Sequence, residues 1–177
     1  AMNFGELFRQ GRSAEIQHQG RTIMLLDRVP AKLGEKFVVT LEQTASPYVQ
    51  GVGMSEGVEV FGERQKRAVV WEYFSLAPAE RQMTRSKLPL SFEVTCRNKA
   101  GYLSFYNMAE GQGRQGWGHA GACMMAQDIP DGRRYHCNDI ELDDDFDDLV
   151  FSVVRLRRDE RYARRADDAN DRAGEGH

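Results

Sequence analysis

The chain has 177 residues, a formal net charge of −3 and a sequence pI near 5.9, a size that fits one domain with its own hydrophobic core. The mild acidity argues against a general nucleic-acid-binding protein, because such proteins carry a strongly basic face. No window reaches the roughly 18 to 20 apolar residues of a membrane span, and the amino terminus lacks the apolar core of a signal peptide. We therefore expect a cytoplasmic protein without a membrane partner, with leaderless export as the alternative.

Alternation of apolar and polar residues with a period of two dominates the chain and predicts about ten short strands. After a short helix at 3–10, the first two strands are joined by a turn at Gln19-Gly20. The segment KFVVTLEQ, which begins at Lys36, and the segment LSFEVTCR, which begins at Leu90, each place alternate apolar side chains on one face. The other predicted elements are a helix at 78–83 and strands at 14–18, 21–27, 57–61, 67–74, 102–108, 120–127, 133–137 and 148–155.

Turn-forming residues separate these strands at close intervals, as at Asn98 to Gly101, at Gly111 to Gly118 and at Pro130-Asp131-Gly132. Such spacing is typical of an all-β protein. We predict an antiparallel β-sandwich of jelly-roll or Greek-key type over residues 1–155, with short helical pieces. Residues 156–177 carry many arginines and acids with little apolar patterning, which predicts a charged tail that is either a surface helix or disordered.

Three cysteines, Cys96, Cys123 and Cys137, make an odd number and do not suggest a disulfide framework. The simplest interpretation is that they are buried thiols on strands. Two alternatives use the same residue types. One is a zinc site that adds His119 and His136, although strand neighbours four apart are separated by about 13 Å. The other is a small thiol-dependent hydrolase in which Cys123 or Cys137 acts with a histidine.

Trp117 lies in the glycine-rich segment EGQGRQGWGHAG, which predicts a loop between two strands. A large aromatic ring among glycines and polar residues is typical of a contact with a sugar ring or a protein partner. The alternative is that the ring folds back onto the domain. Trp117 is therefore a candidate partner-binding residue, for a protein or a carbohydrate.

The segment NDIELDDDFDDLVFSV, residues 138–153, places seven carboxylates in eleven residues before an apolar strand. Calcium prefers six to eight oxygen ligands, and the segment offers enough, although its spacing is not that of an EF-hand. Phe146 is expected to anchor this loop to the core. The alternative is a solvated or salt-bridged loop, with counter-charge from Arg133, Arg134 or the tail.

The longer run YHCNDIELDDDFDDLVFSV, Tyr135 to Val153, resembles the closing segment of two groups of bacterial proteins. One group comprises small uncharacterised proteins that end in a Tyr-x-Cys-Asn-Asp and Asp-Phe-Asp-Asp-Leu-Val-Phe pattern. The other comprises Asp-rich β-sandwich modules of exported proteins. The second resemblance implies a β-sandwich and calcium ligation by Asp143, Asp145, Asp147 and Asp148.

Together these features predict a non-enzymatic binding module with a divalent-cation site, for calcium, in the acidic loop 138–148. The candidate ligands are Asn138, Asp139, Asp143, Asp145, Asp147 and Asp148. The main alternative is a cytoplasmic immunity or inhibitor protein that binds a basic partner through its acidic surface. Long edge strands could also pair two copies into a homodimer.

Overall fold

The computed structural model describes residues 4–11, 14–72, 88–111, 114–116, 122–139 and 145–157. The predicted helix at 78–83, the Trp117 loop centre and the tail beyond Arg157 lie outside these residues. Within them, the chain forms one helix, α1, and twelve strands. Their bounds are α1 Phe4–Gly11, β1 Glu15–His18, β2 Arg21–Met24, β3 Asp27–Pro30, β4 Lys36–Thr44, β5 Val49–Val60, β6 Glu63–Trp71, β7 Leu90–Cys96, β8 Tyr102–Gly111, β9 Arg114–Gly116, β10 Cys123–Ile129, β11 Gly132–Asn138 and β12 Leu149–Arg155.

The strands belong to one antiparallel sheet that curls into a half-barrel, in the order β1-β2-β10-β11-β12-β4-β7-β5-β8-β3. β6 pairs with β5 and β9 pairs with β8, outside this order. The all-β, antiparallel prediction is therefore confirmed. The sandwich of two facing sheets is not confirmed, because the described strands form a single hydrogen-bonded sheet.

The sheet branches at β5, which has different partners along its length. Residues 49–55 pair with β8, residues 58–60 pair with β7, and β6 lies along the opposite edge. The register shifts between Ser55 and Val58, and Gly57 between them has φ of 103°. A side chain is strongly disfavoured at that backbone angle, so glycine allows the bend that lets one strand serve both parts of the curled sheet.

The interior of the curl is the main hydrophobic core, formed by the inward positions predicted from alternation. Phe37, Val39 and Leu41 of β4 are almost completely buried, and so is Phe151 of β12. Complete burial of such side chains stabilises the fold by about 1.5–3 kcal/mol each. The three cysteines are buried free thiols on β7, β10 and β11, as predicted.

A smaller core lies under α1, at the end of the sheet that carries the acidic loop. Phe4 and Phe8, one helical turn apart, pack with Ile23, Cys123 and Phe146. This spacing places both rings on one face of the helix. The helix prediction at 3–10 is confirmed, and the helix covers the base of the loop.

Several strands differ from their predictions, including β6, which starts at Glu63, four residues before its predicted start. β3 at Asp27–Pro30 is a separate strand that pairs with β8, because the chain leaves the β2 ladder at Leu25. β5 starts at Val49, eight residues before its predicted start. β9, at Arg114–Gly116, forms a short ladder with β8 where only a loop was predicted. In the described part of the chain, no helix has the length and apolar character needed to cross a membrane.

Candidate functional site

Three aspartates converge at the start of β12. Carboxylate oxygens of Asp145, Asp147 and Asp148 all lie within 4.8 Å of one another. Asp145 and Asp147 are exposed, whereas Asp148 is buried. Three carboxylates in this arrangement form an oxygen-rich site, the type of ligand set that hard cations such as calcium prefer. We refer to these three residues as the aspartate cluster.

Asp148, the buried member of the cluster, is held by hydrogen bonds to two neighbouring segments, the end of β11 and the residue that follows β4. Its N–H donates to the carbonyl oxygen of Cys137 (3.1 Å), and its carbonyl oxygen accepts from the N–H of Ala45 (3.2 Å). Its carboxylate oxygen Oδ2 accepts from the N–H of Asp139 at 2.9 Å. These contacts fix the inner carboxylate before any cation binds, which reduces the ordering required for binding.

Phe146 anchors the exposed part of the loop, as predicted. Its ring is almost fully buried and contacts the ring of Phe4, with centroids 5.6 Å apart. Its φ of 55° is unusual for a residue with a side chain. The Phe146 N–H donates to Oδ1 of Asn138 at 2.8 Å, which satisfies a buried donor in this tight turn.

The sequence-predicted ligands therefore divide into two groups. Asp145, Asp147 and Asp148 come together, whereas Asn138 and Asp139 are buried and have other contacts. The Oδ1 of Asn138 accepts from Phe146, and its carbonyl oxygen accepts from Nδ2 of Asn107. Asp139 accepts from Oγ of Ser46. Asp143 lies outside the described residues.

A second polar layer lies beneath the cluster, inside the curled sheet, and joins Asp139 to residues that were missed from the sequence. Gln50 Nε2 donates to Oδ2 of Asp139 at 3.5 Å, and the N–H of Gln50 donates to Glu72 at 3.1 Å. Glu72 also accepts from Oγ1 of Thr44 at 3.5 Å. Gln50, Glu72 and Asp139 are at most 2% exposed. The sequence feature that could have indicated this layer is Gln50, a polar residue at an inward position of a strand.

The pKa of Asp147 reports the crowding of carboxylates in the cluster. Desolvation, and then a hydrogen bond and repulsion from Asp145, raise the pKa of Asp147 above its ordinary value. A raised carboxyl pKa means that the native state favours the protonated form. A bound cation would reverse this preference, because it stabilises both charges.

The raised pKa of Asp147 predicts that, without a cation, the difference in stability between wild type and Asp147→Asn depends on pH. In chelator at neutral pH, Asp147→Asn is expected to be more stable than wild type, by no more than about 1 kcal/mol because the pair is exposed and screened. The protonated carboxyl of Asp147 favours the native state, and this stabilisation is complete below the ordinary aspartate pKa near 3.9. It is lost as the pH rises through the raised pKa of the native state. Denaturant unfolding at several pH values should show the difference shrink towards acid. A constant difference would contradict the raised pKa.

In the described part of the chain, the two arginines that were expected to neutralise the loop pair with other carboxylates. Arg133 pairs with Asp27 at 3.0 Å and with Asp128 at 3.2 Å. Arg134 pairs with Glu42 at 2.8 Å. Within the described residues, both side chains pair with strands of the sheet, while residues 140–144 of the acidic loop and the tail arginines beyond Arg157 lie outside the described part of the chain.

The buried cysteines lack the character of a nucleophile. Burial raises the pKa of the Cys123 thiol, and burial with nearby Cys123 and Asp148 raises that of Cys137 well above its ordinary value. A reactive cysteine requires the opposite shift and solvent access.

Comparison with protein-family models, with curated proteins and with solved structures found no match for this chain.

Proposed function

We propose that the protein is a non-enzymatic binding module in which the aspartate cluster holds a calcium ion. The single observation that supports this proposal is the convergence of three carboxylates within 4.8 Å around one buried member, Asp148. Repulsion among these charges destabilises the loop at neutral pH unless a cation compensates it. The anchoring of Phe146 and Asp148 holds the charges together in spite of this repulsion.

Calcium suits this site better than magnesium. The cluster offers up to six carboxylate oxygens in a loop with one fixed and two exposed members, and calcium accepts six to eight ligands in variable geometry. Magnesium requires near-ideal octahedral geometry and keeps several waters. Asp143 is the further ligand that the resemblance to Asp-rich modules suggests, and the same resemblance supports a sandwich-type completion of the curled sheet.

The affinity for calcium bears on where the protein works. A dissociation constant of about 0.1–1 mM would match calcium-rich extracellular surroundings, whereas a micromolar value would match an intracellular sensor. In either setting, the loaded loop and Trp117 are the proposed contacts for a protein or carbohydrate partner.

Thermal unfolding in chelator and in about 1 mM calcium tests the proposal. For a dissociation constant near 0.1 mM, binding to the native state adds about 1.4 kcal/mol of stability. We therefore expect Tm to rise by about 3–6 °C, with little change in magnesium. Asp145→Asn combined with Asp147→Asn should abolish the calcium-dependent rise while the protein remains folded.

A charge-matched control is Glu56→Gln combined with Glu63→Gln, since both side chains are exposed on β5 and β6. This variant should keep the full response to calcium. An unchanged Tm in calcium for wild type would reject the cation site. The exposed carboxylates would then be tested as a surface for a basic protein, which is the immunity or inhibitor alternative, by pull-down with and without chelator.

A further inference from the structure

Two exposed arginines lie in one row across four neighbouring strands of the sheet. Arg28 of β3 pairs with Ser104 of β8, Ser104 with Ser55 of β5, and Ser55 with Arg67 of β6. We refer to these four residues as the outer row. Three strand spacings separate the Cα atoms of the two arginines by about 14 Å. The serines between them are short and only 4% and 8% exposed, so the arginine side chains border a shallow recess.

The outer row lies on the face of the sheet that is opposite to the hydrophobic core. Its neighbours along the four strands belong to the main core or pack against it: Val29, Phe105, Met54 and Ala68. Because neighbours along a strand point to opposite faces, the side chains of the outer row point away from the core.

The fold does not use the charges of Arg28 and Arg67 in ion pairs. In the described part of the chain, neither guanidinium pairs with a carboxylate, whereas several other arginines do: Arg97, Arg133, Arg134, Arg155 and Arg157. Arg28 instead lies 4.9 Å from the centre of the half-buried Tyr102 ring, a cation–π contact that orients it. An anionic partner could therefore bind both arginines without breaking an ion pair.

Tyr106 places an aromatic ring beside the recess. It lies two residues after Ser104 on the same face of β8, and its ring covers Gly53 of β5, where a Cβ would lie 2.0 Å from Cε2 of the ring. Burial raises the pKa of Tyr106, while the nearby charge of Arg67 lowers it and that of Glu56 raises it. The ring is therefore close to one of the two arginines, with Glu56 as a neighbouring negative charge.

We propose that this face binds single-stranded nucleic acid. Two backbone phosphates pair with Arg28 and Arg67, and a base between them lies against Tyr106. Positive charges that track a backbone, combined with aromatic rings for the bases, are the features that bind single strands without sequence preference. An acidic peptide would match the arginines but not the ring. The net charge of −3 argues against a generally basic surface, not against a local basic row.

Fluorescence anisotropy with a fluorescein-labelled oligothymidylate of about twelve nucleotides, in chelator and at several salt concentrations, tests the proposal. Chelator keeps the result independent of the aspartate cluster. The affinity should fall as salt rises, and each of Arg28→Gln and Arg67→Gln should reduce the slope of log affinity against log salt by about 0.7, the effect of one lost phosphate contact on a single strand.

The aromatic contact and the neighbouring charge have their own variants. Tyr106→Leu should weaken binding about tenfold without changing the slope, because stacking involves no counterion release. Glu56→Gln should strengthen binding, because it removes a repulsion. Arg21→Gln, at an exposed arginine of β2, is the charge-matched control and should bind as wild type does.

Three results would overturn the proposal. One is the absence of binding at about 50 mM salt, where phosphate contacts are strong. Another is an unchanged affinity and slope in Arg28→Gln combined with Arg67→Gln, which would place the binding elsewhere, for example on the arginine-rich tail. The third is equally strong competition by polyglutamate of the same charge, which would assign the outer row to an acidic protein.

Discussion

Replacing Gly132 by alanine is expected to destabilise the protein by about 2–3 kcal/mol, which lowers Tm by about 4–12 °C. Gly132 begins β11 and pairs with Val154 of β12. A Cβ at this position would lie 2.0 Å from the carbonyl oxygen of Val153 and 2.9 Å from its carbonyl carbon. Because both atoms belong to the backbone, the two strands must move apart. Differential scanning calorimetry would measure the loss.

Gly20→Ala is the control for this prediction. Gly20 has φ of 75°, and a Cβ there would meet no atom within 4 Å. Alanine should therefore destabilise through backbone strain alone, by about 1 kcal/mol. Equal losses in the two variants would show that β11 and β12 tolerate the extra atom, and that the close approach at Gly132 is not a constraint on the sheet.

Strands with uninterrupted alternation were predicted to within a residue or so. β4 at Lys36–Thr44 and β7 at Leu90–Cys96 each bury one face, and a strand buried on one face has apolar residues at alternate positions of its sequence. The first half of β5 was missed because Gly51 and Gly53 have no side chain to show the period. Gln50, at an inward position, also replaces an apolar residue there.

The single curled sheet could not have been predicted in the same way. β3 pairs with β8, and β12 pairs with β4, although each pair is separated by more than 70 residues of sequence. Alternation indicates which face of a strand is buried but not which strand lies beside it. The sandwich prediction rested on the number and spacing of the strands and on the resemblance to Asp-rich modules, and neither specifies which strands are neighbours.

In the candidate site too, contacts between sequence neighbours were predicted, whereas contacts between distant segments were not. Asp145, Asp147 and Asp148 are neighbours in sequence, so their density alone predicted that their carboxylates would meet. The layer beneath them joins Asp139 to Ser46 and Gln50, which lie about 90 residues earlier in the sequence. Local spacing carries no information about such contacts.

Asn138 lies next to the candidate site, as predicted, but its role differs from the predicted one. It was predicted as a cation ligand because its side chain offers an oxygen within the acidic segment. That oxygen instead accepts from the N–H of Phe146, and the residue is completely buried. Asn138 therefore acts on the aspartate cluster by holding the turn that contains Asp145 and Asp147.

Asn138→Ala is accordingly expected to destabilise the protein by about 2–3 kcal/mol and to remove most of the calcium-dependent rise in Tm. The substitution leaves the buried N–H of Phe146 without its acceptor, a loss of about 1–3 kcal/mol, and opens space in a packed region. Without that hydrogen bond, the φ of 55° at Phe146 is no longer favoured, and the exposed carboxylates lose their fixed positions. Chemical unfolding with and without calcium measures both effects.

Asn138→Asp separates the hydrogen bond from the shape of the side chain. Aspartate keeps the acceptor for Phe146 but adds a buried charge beside Asp139 and Asp148, which raises its native pKa. The variant should therefore be unstable at neutral pH and recover as the pH falls through that raised value, whereas Asn138→Ala should not recover. If Asn138→Ala lost stability but kept the full calcium response, the cation would not depend on this turn. The aspartate cluster would then not be its site.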